Sequence, residues 1–163
     1  MGITARLSRR SGGAILNLDG MARLSDFGDW KAKSEYHVTL LGKDGLGALL
    51  RYIGRLKIIQ AEIAISRAAA EIEWRVRLLD EWWRVEDGKE RTIVQLADVD
   101  GAEAFFTNLE WALETKLARP PYHVTLFTAD SPRGIGVSTR EDLERLGRRL
   151  DGAELDELRS RLH

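Results

Sequence analysis

The pentapeptide Tyr-His-Val-Thr-Leu occurs twice, as Tyr36-His37-Val38-Thr39-Leu40 and as Tyr122-His123-Val124-Thr125-Leu126. The chain holds three histidines, and two of them stand in these copies. Imidazole takes either protonation state near neutral pH, and a threonine hydroxyl can donate to an anionic oxygen. Two such pairs in one site suit hydrolysis or transesterification at phosphorus. A neutral imidazole takes the proton of the attacking water or hydroxyl, and a protonated one gives a proton to the leaving oxygen. The two hydroxyls donate to the non-bridging phosphoryl oxygens. This chemistry requires no metal, no cofactor and no covalent intermediate. One His-x-Thr in a strand is ordinarily packing or hydrogen-bond scaffolding. Packing does not explain why the same polar pair recurs.

The surrounding pattern must place the two pairs together. Tyr36 to Leu41 and Tyr122 to Phe127 read as buried strands, the first ended by Gly42 and the second set up by Pro120-Pro121. On a strand, residues i and i+2 share a face. His37 and Thr39 therefore point one way, as do His123 and Thr125, while Tyr36, Val38, Leu40, Tyr122, Val124 and Leu126 point to the core. Gly13 to Leu18 reads as an early strand, Asp19-Gly20 as a turn and residues 25–35 as a polar loop. Asp44 caps a helix over about 45–56. The front of 58–70 alternates through Ile59, Ala61, Ile63 and Ile65 and predicts a strand, although Ala68 to Ala70 would equally extend a helix. Ile72, Trp74, Val76 and Leu78 alternate with charged residues, as a strand with one wet face does. Asp87-Gly88 predicts a hairpin joining Trp82–Val85 to Arg91–Ala97. Asp100 and Glu103 form a capping box for a helix carrying Phe105, Phe106, Leu109, Leu113 and Leu117. Ser138 with Glu141 caps a third helix ending near Leu150, and Asp151 with Glu154 a fourth running to the C-terminus.

Hairpins among these elements favour an α+β class with mostly antiparallel sheet. At 163 residues the chain reads as one domain, 1–163, built of two small lobes, with 138–163 as its C-terminal helical segment. Twenty-five basic against 26 acidic residues give a net charge of −1, so nothing draws the whole molecule to nucleic acid. The absence of cysteine excludes disulfides, a thiol nucleophile and sulfur-ligated zinc. No apolar run is long enough to span a membrane, and Arg6, Arg9 and Arg10 are followed by no signal-like apolar stretch. A cytoplasmic protein with no membrane partner is the simplest expectation, and a monomer the simplest assembly. No protein partner is indicated.

On the residues His37-Val38-Thr39-Leu40 and His123-Val124-Thr125-Leu126, the chain resembles the two-histidine phosphoesterase superfamily, its LigT-like or cyclic phosphodiesterase group. That pattern is two copies of His-x-Thr or His-x-Ser, each followed by a hydrophobic residue. The likeness covers about residues 13–137. It implies a bilobal, pseudo-twofold fold with sheets lining a central cleft and helices packed outside. It implies metal-independent cleavage of a cyclic phosphate or a 2′-5′ linkage in a nucleotide, an oligonucleotide or an RNA end. It makes His37, Thr39, His123 and Thr125 the catalytic set; which histidine is the base depends on the direction of attack, and for opening a 2′,3′-cyclic phosphate to the 2′-phosphate the reading favours His123 as base and His37 as acid. In many relatives an aromatic-rich strand opens the chain; here Gly12 to Leu18 takes that place. The alternative is a catalytically inactive nucleotide- or RNA-binding module of the same fold.

Further candidates for substrate contact are Tyr36, Tyr122, Lys43, Trp82 and Arg84. The tyrosines fall on the core face of a regular strand, which favours packing over base stacking. Trp82 and Trp83 are adjacent and cannot both face one core, so one could stack on a base. Lys43 and Arg84 could bind phosphate or serve as surface charges. Arg133-Gly134-Ile135-Gly136 lacks a full phosphate-loop pattern and reads as a turn. Asp26, Asp29 and Asp130 are not at metal-ligand spacing with the histidines.

Overall fold

A computed structural model describes residues 3–10, 13–42, 45, 47 and 58–161. Its centre is an antiparallel sheet of β1 (Thr4–Arg10), β2 (Gly13–Asp19), β3 (Lys31–Ala32), β4 (His37–Leu41), β5 (Arg75–Asp87), β6 (Glu90–Asp100), β7 (His123–Ala129) and β8 (Gly147–Arg149). The helices among the described residues are α1 (Ile58–Ala69), α2 (Ala102–Leu113), α3 (Arg140–Leu146) and α4 (Gly152–Ser160). The strands lie in the order β1-β2-β4-β7-β6-β5-β8, with β3 also paired to β7. The expected α+β class and antiparallel sheet are therefore present. The two motif strands are neighbours in the middle.

Period-two patterning explains the layering. Leu16, Val38, Leu40, Val124 and Leu126 face one side and pack on Phe105, Phe106 and Leu109 of α2 and on Ala61, Ala64, Ile65 and Ala68 of α1. Phe105 and Phe106 are fully buried; each contributes roughly 2–3 kcal/mol through the apolar surface it removes from water. A second, smaller cluster lies on the other face, where Trp83, Val85, Val94 and Leu96 meet Ile135, Val137 and Leu143. No described helix is long and apolar enough to cross a membrane.

Several expectations are corrected. The stretch 58–69 is helical, not a strand. Ala61, Ala64, Ile65 and Ala68 recur at helical spacing and are buried, whereas Ile59 and Ile63 are exposed; the alternation of isoleucines misled because the buried stripe is made of small residues. Trp74 lies just before β5, and Val76 to Val85 form one strand with a register shift between Leu78 and Trp82. The cap of α2 is Gly101, with φ 92° and no side-chain cap, rather than Asp100. A Cβ at Gly101 would lie 2.4 Å from Ile72 Cγ2, so the close approach of that loop requires glycine. The helix stops at Leu113 and does not reach Leu117. Thr139, not Ser138, caps α3 by accepting from Asp142 N at 3.0 Å. The chain then re-enters the sheet as β8 against β5, so segment 138–163 is not wholly helical. β1 was not foreseen: its arginines obscure the alternation, and charged side chains are common on such an edge strand. The predicted helix over 45–56 lies outside the described residues apart from Gly45 and Gly47, both helical.

Candidate active site

β4 and β7 pair antiparallel through Val38 and Val124, the middle residues of the two pentapeptides. One step along that register sets His37 across from Thr125 and Thr39 across from His123. The four polar side chains thus share the face opposite the valines. All four are half-buried and line one cleft of about 710 Å³, within the range that holds small ligands.

His123 is held by its own chain. Its Nδ1 lies 2.7 Å from the Pro121 carbonyl oxygen. A carbonyl can only accept, so Nδ1 carries the proton and neutral His123 presents a bare Nε2. Burial lowers its pKa below the ordinary 6.5, and the Pro121 bond offsets this in part. His123 is therefore a neutral proton acceptor at pH 7. The sign follows for stability. Unfolded chain binds this proton near 6.5 while the folded protein does so only at lower pH, so stability falls as pH drops through that window. For turnover, we expect the acidic limb of kcat/KM against pH to lie below 6.5. A limb above 7 would remove His123 as base.

The segment leading into β7 is fixed from α2. Glu110, only 8% exposed, accepts from Arg119 Nη1 at 2.5 Å, Leu117 N at 2.8 Å and Lys116 Nζ at 3.3 Å. The Arg119 guanidinium, then the Leu117 amide, hold its carboxyl down at about 2. Arg119 also lies 4.9 Å from the Phe106 ring centroid. This knot fastens residues 114–119 to the core just before Pro120 and Pro121, and so sets where the Pro121 carbonyl meets His123.

The other wall is the segment after β7. Ile135 and Val137 are buried, while Gly134, Gly136 and Ser138 alternate with them toward solvent and line the cleft. The Ile135 amide donates to Thr92 Oγ1 at 3.2 Å. A Cβ at Gly134 would sit 3.1 Å from Thr125 Oγ1, so a side chain there would press on the hydroxyl. This stretch, expected to be a plain turn, is an extended wall of the cleft. Lys33 and Lys116 add positive charge at the rim. Lys33 Nζ donates to the Pro132 carbonyl at 3.0 Å.

Of the remaining candidates, none among the described residues lines the cleft. Tyr36 is buried in the apolar layer with Val38, and Tyr122 packs against that layer, burial raising its pKa to about 12. Trp82 is 1% exposed in the same layer, and Trp83 is buried on the opposite face, because the sheet is apolar on both sides at that point. Neither is open to a base. Arg84 pairs with Glu86 and stands over the Trp30 ring. Lys43 lies outside the described residues. Asp26 pairs with Lys31, and Asp29 and Asp130 pair with Arg91. Among the described residues no group of three or more metal-ligating side chains gathers. Sequence reasoning missed Lys33, Lys116 and Ser138. Only the last had a signal, its period-two spacing from Gly134 and Gly136.

No family model, no curated protein and no solved structure matches this chain.

Proposed function

We propose that the protein is a metal-independent phosphodiesterase of the two-histidine kind, acting on a cyclic phosphate or a 2′-5′ linked nucleotide or oligonucleotide. The observation that carries this reading is the Val38–Val124 register, which crosses each imidazole with the other motif's hydroxyl above one cleft.

In the proposed reaction the phosphoryl group rests between Thr39 and Thr125, whose hydroxyls donate to its non-bridging oxygens. His123 Nε2 takes a proton from water as its oxygen bonds to phosphorus. His37, protonated, gives a proton to the ribose oxygen as the phosphorus–oxygen bond breaks. His123 then returns its proton to solvent and His37 regains one. Preorganised donors at the place where charge develops supply most of the acceleration in such a site.

The fold-level part of the reading is a bilobal, pseudo-twofold molecule, β1-β2-β4 forming one half and β7-β6-β5-β8 the other. One registered pair joins β4 to β7 and two more join β3 to β7, against four between β2 and β4 and six between β6 and β7. The reading carries with it a cytoplasmic enzyme working as a single chain on a nucleotide, oligonucleotide or RNA end.

The test is product analysis over 2′,3′-cyclic mononucleotides, 2′-5′ oligonucleotides and cyclic oligonucleotides, with and without excess chelator. Turnover of one class, undiminished by chelator, is expected. Tight binding with no product from any of them would favour the inactive binding module.

A further inference from the structure

The sheet face that carries the four motif side chains continues past them. Asn17 of β2 pairs with His37, and Arg6 of β1 pairs with Asn17. A single row therefore runs Arg6–Asn17–His37–Thr125 across four strands on one face. The parallel row is Ser8–Ile15–Thr39–His123, since Ile15 pairs with Thr39 and Ser8 with Ile15. Arg6, Ser8 and Asn17, together with Arg23 from the loop after β2, line a second concavity of about 600 Å³.

The two flanks of the motif quartet differ in chemistry. Toward β6, Thr125 is followed by Val94 and His123 by Leu96, both buried under Ile135 and Val137. Toward β1, His37 is followed by an amide and then a guanidinium. A charged chain leaving the reacting phosphorus meets apolar packing on one flank and hydrogen-bond donors on the other. Neighbouring strands are about 4.8 Å apart, so the Arg6 backbone stands about 10 Å from that of His37. Its side chain, held here by Asp19, is long enough to cover part of that distance.

The charges of the concavity favour an anion that comes and goes. Arg6 pairs with Asp19 at 3.0 Å, but both side chains are mostly exposed, 71% and 61%. Such a pair contributes little and gives way to a better partner. Arg23 has no ion pair among the described residues. Glu35 also lines the hollow, so it is not uniformly cationic.

We infer that Arg6, Asn17 and Arg23 form a subsite for the phosphate next to the one cleaved, so that the substrate is an oligonucleotide rather than a mononucleotide. This rests on the phosphodiesterase reading above. Phosphate replaces Asp19 as the partner of Arg6, and Asn17 donates its side-chain amide between the subsite and His37.

Two substitutions with opposite expected signs test it. Arg6→Gln combined with Arg23→Gln removes the donors, and Asp19→Asn removes the competitor. The probe is a fluorescent tetranucleotide ending in a 2′,3′-cyclic phosphate, compared with the cyclic mononucleotide. The arginine variant should raise KM for the tetranucleotide about tenfold more than for the mononucleotide, and Asp19→Asn should lower it. The salt dependence of tetranucleotide binding should flatten in the arginine variant, because fewer counterions are released. Equal affinity for the two lengths, or the same tetranucleotide affinity in all variants, overturns the subsite. Equilibrium binding of the tetranucleotide to the protein carrying His37→Ala and His123→Ala reads the subsite without turnover. Weakened binding there by the arginine substitutions, with no cleavage by the parent, would keep the subsite and remove the phosphodiesterase. Thermal midpoints within a few degrees of the parent exclude misfolding.

Discussion

Alanine in place of His123 or His37 will lower kcat by about 10²- to 10⁴-fold, the range over which a single general acid or base acts. Neither change should unfold the protein. Each imidazole stands half-buried at the floor of a cleft, while the core face of the same strands is made by Val38, Leu40, Val124 and Leu126. Loss of His123 removes the bond to the Pro121 carbonyl but leaves residues 114–119 tied to Glu110. The thermal midpoint should move by only a few degrees, as for a substitution that empties no core. If the two residues act in one proton cycle, the double variant should be little worse than the poorer single one. The pH profile of the parent should be bell-shaped, and His123→Ala should lose the acidic limb while His37→Ala loses the basic one. Turnover within about threefold of the parent in either variant would remove the acid–base mechanism.

The second large effect is expected from Thr39→Val and Thr125→Val. Valine keeps the branched shape and strand preference of threonine and deletes only the hydroxyl. If the hydroxyls grip the phosphoryl oxygens as charge develops, kcat should fall about 10²- to 10³-fold for each, with KM little changed. Because Thr39 lies across from His123 and Thr125 across from His37, the two losses should be alike in size. A rise in KM with kcat intact would make the hydroxyls ground-state anchors and return the catalytic burden to the histidines alone.

The meeting of the two His-x-Thr pairs on one face was readable in the chain for a physical reason. Strand geometry forces i and i+2 onto one face, so His-x-Thr declares a polar face whatever its neighbours, and duplication supplies the second half. The 87–90 hairpin was equally visible, because Gly88 takes φ 61° in the tight turn that Asp-Gly favours. What could not be read were contacts set by distant segments. Trp82 and Trp83 looked like a surplus aromatic pair until α2 and α4 on one face, and Ile135, Val137 and Leu143 on the other, gave each a core. The isoleucines of α1 advertised a strand because alanine, the residue that packs α1 on α2, carries little weight in a hydrophobic pattern. Pro121 was read only as setting up a strand, and Glu110 carried no signal. Their bonds, to His123 and to Lys116, Leu117 and Arg119, are made by the irregular turn between α2 and β7, which no periodic pattern announces.

The single Val38–Val124 bridge has a mechanical consequence. Between β4 and β7 that pair is the one in register, and β3 adds two more to β7, so few backbone bonds cross the sheet where the imidazoles stand. On the proposed reading, a phosphoryl group held by Thr39 of β4 and Thr125 of β7 would add a link across that seam.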